Sequence, residues 1–189
     1  MVRFFSVTAA GAVVAAAMLA QPTVPAAAAP GAAGTSATSC STAWGSTAER
    51  AGRMSGAALT GVRTGRHACF DRVVLDLRGS GTGYRVSYVD SVTAQGSGKV
   101  VPLRGGAFLQ VDLLHPAYDS QGRPTYDPAD RRELAPVAGY STLRQLAWGG
   151  SAEGQSTVGV GVRARLPFRV TVLETATGSK VVLDVAHRW

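Results

Sequence analysis

The chain has 189 residues, 46% of them hydrophobic, with 19 Lys and Arg against 12 Asp and Glu and a formal net charge of +7. This length suits one globular domain, and the apolar fraction excludes a chain that is disordered throughout. There is no Ile, no Asn and only two lysines, Lys99 and Lys180, the mark of a GC-rich coding sequence, so the preference for Arg over Lys says little about function. The moderate positive charge suits anionic polymers or lipid headgroups. The lack of a basic run with interleaved aromatics argues against nucleic acid.

Residues 1–28 read as a secretory signal, with Arg3 in a short leading region, an apolar Ala-rich run over 7–20, then Pro22, Pro25 and small residues before a cut after Ala28. The run is shorter than the roughly 20 residues that a membrane span needs. No stable span is expected after cleavage, and the product is expected to be secreted, extracellular or cell-wall associated. No cysteine closely follows the run, which argues against a lipid anchor. Residues 29–57 are assigned to a flexible leader containing Cys40, rich in Ala, Gly, Ser and Thr as far as Ser39, and residues 58–189 to the folded domain. Cys40 and Cys69 are the only cysteines. In an exported chain they read as a disulfide, with free thiols the alternative, and loop entropy makes such a bridge worth about 3–4 kcal/mol.

From residue 58 onward the pattern is that of short strands. Val73, Leu75 and Leu77 alternate with Val74 and Asp76, and Tyr84, Val86 and Tyr88 with Arg85 and Ser87. After turns rich in glycine come Lys99 to Leu103, then Ala107, Leu109, Val111 and Leu113 on one face. Val158, Val160 and Val162 follow, then Phe168, Val170 and Val172, and finally Val181, Leu183 and Val185. The expected fold is mainly β, an antiparallel β-sandwich. One short helix is expected over residues 141–147, where Ser141 is placed to cap and Leu143 and Leu146 share a face. A long Pro-rich loop spans His115 to Gly139, with Pro116, Pro124, Pro128 and Pro136. It reads either as cover for a sheet edge or as a ligand-covering loop carrying Tyr118 and Tyr126.

Several apparent motifs fail. Gly159-x-Gly161-x-x-Ala164 matches a degenerate dinucleotide fingerprint but leads into a strand where a helix is required. Gly96-Ser97-Gly98-Lys99 lacks the rest of a phosphate loop, and Glu153 stands where a nucleophile elbow needs glycine. His67, His115 and His187 have no metal-ligand spacing. Asp71 follows His67 by four residues and Asp184 precedes His187 by three, so acid/base work is conceivable only if all four meet. No catalytic residue, metal or cofactor is assigned. The best candidate site is the polar half of the stretch Val62 to Leu77, with Arg63, Arg66 and His67 at the mouth of a buried strand.

The segments Val62-Arg-Thr-Gly-Arg-His-Ala-Cys-Phe-Asp-Arg-Val-Val, Gly83-Tyr-Arg-Val-Ser-Tyr-Val, Gly96-Ser-Gly, Trp148-Gly-Gly-Ser-Ala-Glu-Gly, Val160-Gly-Val, Leu166-Pro-Phe-Arg-Val and Val181-Val-Leu-Asp-Val-Ala-His resemble the AMIN-like domain proteins of actinobacteria. The likeness runs in order from Leu59 to Trp189. It implies a sandwich of AMIN type and a relation to a domain that targets peptidoglycan amidases and secretin components to the envelope. On this resemblance the chain is a non-catalytic module binding peptidoglycan, another cell-wall polymer or an envelope protein. Many relatives carry an aromatic where Ala152 stands, which leaves Trp148 the nearby substitute. Arg63 and Arg66 suit paired hydrogen bonds to carboxylates, His67 adds a donor, Arg72 extends the basic surface, and Trp148 offers a stacking face. The alternative is a secreted protein-interaction or inhibitor module acting through residues 115–139.

Overall fold

Alternating Val and Leu with small or polar neighbours cannot bury both faces of a strand, so such strands must share a core. A computed structural model describes Cys40 and residues 43–189. The proposed signal and the Ala/Gly-rich stretch as far as Ser39 lie outside the described residues. Eleven strands are described: β1 (Glu49–Ala51), β2 (Ala58–Arg66), β3 (Phe70–Arg78), β4 (Tyr84–Val89), β5 (Val92–Thr93), β6 (Val100–Val101), β7 (Ala107–Leu113), β8 (Leu143–Ala152), β9 (Gln155–Val162), β10 (Phe168–Thr175) and β11 (Gly178–Ala186). One sheet has the order β1-β4-β7-β9-β8, another β10-β11-β3-β2, and β5 pairs with β6 alone. Every pairing between these strands is antiparallel. Leu59, Val73, Leu75 and Leu183 from the four-stranded sheet join Val86, Leu109, Val111 and Val160 from the five-stranded sheet in one buried cluster, as the inner faces of a sandwich do.

The expected helix over residues 141–147 is absent. Leu143 to Ala152 is strand β8, paired along β9. The register slips between Leu143 and Gln145, so Leu143 lies opposite Val162 and Leu146 opposite Val160. A bulge at Arg144 thus puts two leucines three apart on the same buried face, the spacing that imitates a helix.

Both open sides of the sandwich are covered. On one side the chain between β7 and β8 runs along the edge strands: the Leu59 amide donates to Pro116 O at 2.8 Å, Leu134 N to Leu146 O at 3.0 Å, and Trp148 N to Arg131 O at 2.7 Å. On the other, β1 extends the five-stranded sheet through β4, while Phe168 N donates to Gly45 O at 2.8 Å and Val170 N to the Glu49 carboxylate at 3.0 Å. Residues 43–51, placed by the sequence in the leader, therefore bind both sheets. Cys40 and Cys69 form a disulfide with Cα atoms 5.2 Å apart, fixing the start of this segment to the β2–β3 turn.

The glycines of Val158-Gly-Val-Gly-Val have a packing role. Val158, Val160 and Val162 enter the core, and Gly159 and Gly161 face outward beneath the excursion between β4 and β7. A Cβ on Gly159 would sit 2.8 Å from Leu103 Cδ1, and one on Gly161 would run into the Arg104 carbonyl. Side chains there would hold the excursion off the sheet.

Candidate functional site

In an antiparallel sheet, residues directly opposite each other share a face. Arg63 lies opposite Val74, and Gly65 opposite Arg72, while Val62 and Thr64 lie opposite the core residues Leu75 and Val73. Arg63 and Arg72 therefore stand on the outer face of the four-stranded sheet. Arg66 belongs to the other face: its guanidinium lies 5.8 Å from the Tyr140 ring centroid and 3.5 Å from Gly139 O.

Pairing across β3, β11 and β10 adds Asp76 opposite Lys180, and Arg72 opposite Asp184, itself opposite Arg169. The result is two rows of cation, carboxylate and cation. Arg63 grips Asp76 through Nε at 2.7 Å and a second nitrogen at 3.0 Å, with Lys180 at 4.0 Å from the same carboxylate. Arg72 grips Asp184 at 2.6 and 2.9 Å, and Arg169 reaches it at 3.0 Å. The Asp184 side chain is 1% exposed, against 29% for Arg72 and 43% for Arg169. The carboxylate is thus screened from solvent by the two cations it holds. Hydrogen bonds to Asp184 and Asp76 push the Arg72 and Arg63 guanidinium pKa values still higher, so both stay charged.

An aromatic cluster closes one end of these rows. Phe70 is its centre: His67 stacks on it at 4.4 Å, Trp44 meets it edge-on at 5.6 Å, and the guanidinium of Arg72 lies 5.2 Å from its centroid. Arg169 sits 4.3 Å from Trp44 and 5.7 Å from Phe70. Such contacts hold a guanidinium by its flat face and leave its edge donors for other partners.

Of the five residues singled out in the sequence, Arg63, Arg72 and His67 lie around this face. Trp148 belongs to the opposite sheet, where its ring meets Tyr126 edge-on at 5.2 Å. Sequence reasoning missed Arg169, Lys180, Phe70 and Trp44. Alternation marks Arg169 as outward, between Phe168 and Val170, but only the strand order brings it to Asp184.

The four His and Asp residues considered for acid/base work do not meet as one set. Asp71 pairs with His187, Nε2 lying 3.0 Å from Oδ1, while Asp184 is occupied by arginines and His67 by Phe70. Asp71 also accepts the amides of Thr142 and Leu143, a structural use of its second oxygen. Among the described residues no group of three His, Cys, Asp or Glu is placed to hold a metal ion, and no helix is long and apolar enough to cross a membrane.

The described residues thus form two disulfide-stapled antiparallel sheets, one of which presents a charged and aromatic outer face. The family model of the AMIN-like domain matches residues 57–187. The chain belongs to the AMIN-like domain family. No curated protein and no solved structure matches it.

Proposed function

We propose that the chain is a non-catalytic, exported envelope module that binds an anionic cell-wall polymer, peptidoglycan first among them, through the outer face of the four-stranded sheet. Family membership supports an envelope-associated module. The observation that carries the ligand class is the double row of four cations on two carboxylates. Each carboxylate engages two cations, and the Arg63, Arg72 and Arg169 side chains stay partly exposed, which suits paired hydrogen bonds to the carboxylates of peptide stems. Phe70, Trp44 and His67 beside them provide apolar surface for sugar and side-chain CH groups. A protein-interaction role for residues 115–139 draws less support, because that backbone is bonded to Leu59, Leu146 and Trp148 rather than offered as a free strand.

The test is retention on purified peptidoglycan of the mature chain and of an Arg63→Gln, Arg169→Gln double variant. Arg72 stays in place, so that Asp184 keeps a partner. Loss of retention is expected. Equal retention by the variant removes this face from the binding reaction.

A further inference from the structure

The heptapeptide Trp148-Gly-Gly-Ser-Ala-Glu-Gly is far from the basic face in the sheet order, and its parts converge on a different feature. A second register shift falls between Trp148 and Gly150, and a Cβ on Gly149 would lie 2.7 Å from the Thr157 side chain. Such a bulge bends the strand and re-aims the side chain beside it. Ser151 Oγ accepts the Ala117 amide at 2.9 Å, anchoring the start of the segment that covers β8. Glu153 and Gly154 both have positive φ, 52° and 76°, forming the two-residue turn between β8 and β9. The Gly154 amide then donates to the Tyr118 hydroxyl at 2.8 Å.

Together these contacts frame a cleft of about 350 Å³, within the range of small-molecule sites. Its walls include Trp148, Tyr126, Tyr118, Gln95, Asp127 and Arg131. Trp148 and Tyr126 are inclined at 78°, so the two half-buried rings make a corner. Asp127 and Arg131 pair at 3.2 Å with both side chains more than half exposed. Among the described residues Tyr118 gives its hydroxyl hydrogen to no acceptor, and Gln95 uses its carbonyl oxygen toward Thr157 while its amide hydrogens go to no partner. Burial pushes the Tyr126 phenol up to about 12, and its hydroxyl has no hydrogen-bond partner among the described residues.

We propose that this cleft binds a neutral pyranose ring of a cell-wall glycan, its CH face against the Trp148–Tyr126 corner and its hydroxyls toward the Tyr126 and Tyr118 hydroxyls, Gln95 and the Asp127–Arg131 pair. A pyranose has one apolar face and a rim of hydroxyls, and this cleft supplies aromatic walls with planar side chains capable of both donating and accepting. The site is separate from the Arg63–Arg169 face. It rests on the envelope reading only for the source of the sugar.

The probe is the neutral N-acetylglucosamine tetrasaccharide, which lacks the carboxylates that the basic face would hold. Titrated into the isotopically labelled mature chain, it is expected to shift the resonances of the Trp148 indole, Gly149, Gly150 and Gln95. Trp148→Phe keeps a ring in the packing and is expected to weaken binding about tenfold through lost aromatic area. Tyr126→Phe is expected to weaken it about fivefold through one lost hydrogen bond. Arg63→Gln with Arg169→Gln is expected to leave it unchanged. Shifts absent from the cleft, or undiminished affinity in Trp148→Phe, overturn the assignment. Absent cleft shifts beside arginine-dependent wall retention would sink the cleft alone, whereas cleft binding with arginine-independent retention would sink the basic face alone.

Discussion

Asp71 on β3 and His187 beyond β11 lie 116 residues apart and meet at 3.0 Å. The other Asp71 oxygen accepts the amides of Thr142 and Leu143 at 2.6 and 3.1 Å. One fully buried carboxylate therefore joins the four-stranded sheet, the entry to β8 and the chain's last residues. Asp71→Ala would leave both amides without their acceptor, and the expected loss is about 3 kcal/mol of unfolding free energy. Asp71→Asn keeps one carbonyl oxygen and is expected to lose about half as much. Urea unfolding of the two variants checks this, and a near-neutral Asp71→Ala would remove the buckle.

A second buried group links stability to pH. His115 is fully buried, and its Nε2 accepts the Gly83 amide at 3.0 Å. The proton therefore sits on Nδ1, which faces Ser55 Oγ at 3.2 Å, and Ser55 in turn donates to Ser80 O. Burial lowers the His115 pKa from its ordinary 6.5, opposed by the hydrogen bond with Ser55. Between the two values the unfolded chain binds the proton and the folded chain does not. The contribution is thus complete above 6.5 and is lost as pH falls through 6.5 toward the native value, at no more than about 1.4 kcal/mol per pH unit. His115→Gln retains an acceptor and does not titrate, so its stability should fall less steeply over this window. Parallel curves for the two proteins would exclude the imidazole as the cause.

The regular strands were legible because their side chains alternate without a break: β3, β4, β7, β9, β10 and β11 all follow the period of two. The two long strands that escaped are both bulged. In β8 the slip at Arg144 aligns Leu143 with Leu146, and in β2 a slip between Leu59 and Gly61 puts Leu59 and Val62 on the core face. Each produces a spacing of three, which period-two reading rejects and helical reading accepts. The site was half legible for a related reason. Alternation sends Arg72 outward, but a contact such as Arg169 with Asp184 or Trp44 with Phe70 depends on which strands become neighbours, and no local pattern states that. Arg66 was grouped with Arg63 by proximity in sequence, although strand parity separates their faces.

Gly161 offers a sharp test of the outer packing on the five-stranded sheet. A Cβ there would collide with the Arg104 carbonyl, which is backbone and cannot swing aside. Gly161→Ala is expected to cost about 3 kcal/mol or to displace the β5–β6 excursion. Gly56→Ala is the control, because a Cβ at Gly56 meets nothing within 4 Å. Thermal unfolding should separate the two clearly. Similar melting temperatures would show that the excursion rides freely over the sheet.

Arg169 on β10 and Arg66 at the end of β2 should part company in binding. Arg169 is held over Trp44 and shares Asp184 with Arg72, so its exposed donors are oriented before any ligand arrives. Arg66 lies on the opposite face beside Tyr140 and takes no part in that array. Arg169→Gln is therefore expected to lower retention on peptidoglycan severalfold, and Arg66→Gln to leave it unchanged. Because the face is exposed, the attraction is screened: the Debye length falls from about 10 Å at 0.1 M salt to about 3 Å at 1 M. Retention of the native chain should drop across that range, and the Arg169→Gln chain should show a shallower drop because it has one fewer charge to screen. A salt-independent binding curve, or an Arg66→Gln defect equal to that of Arg169→Gln, would move the binding surface away from the outer face of the four-stranded sheet.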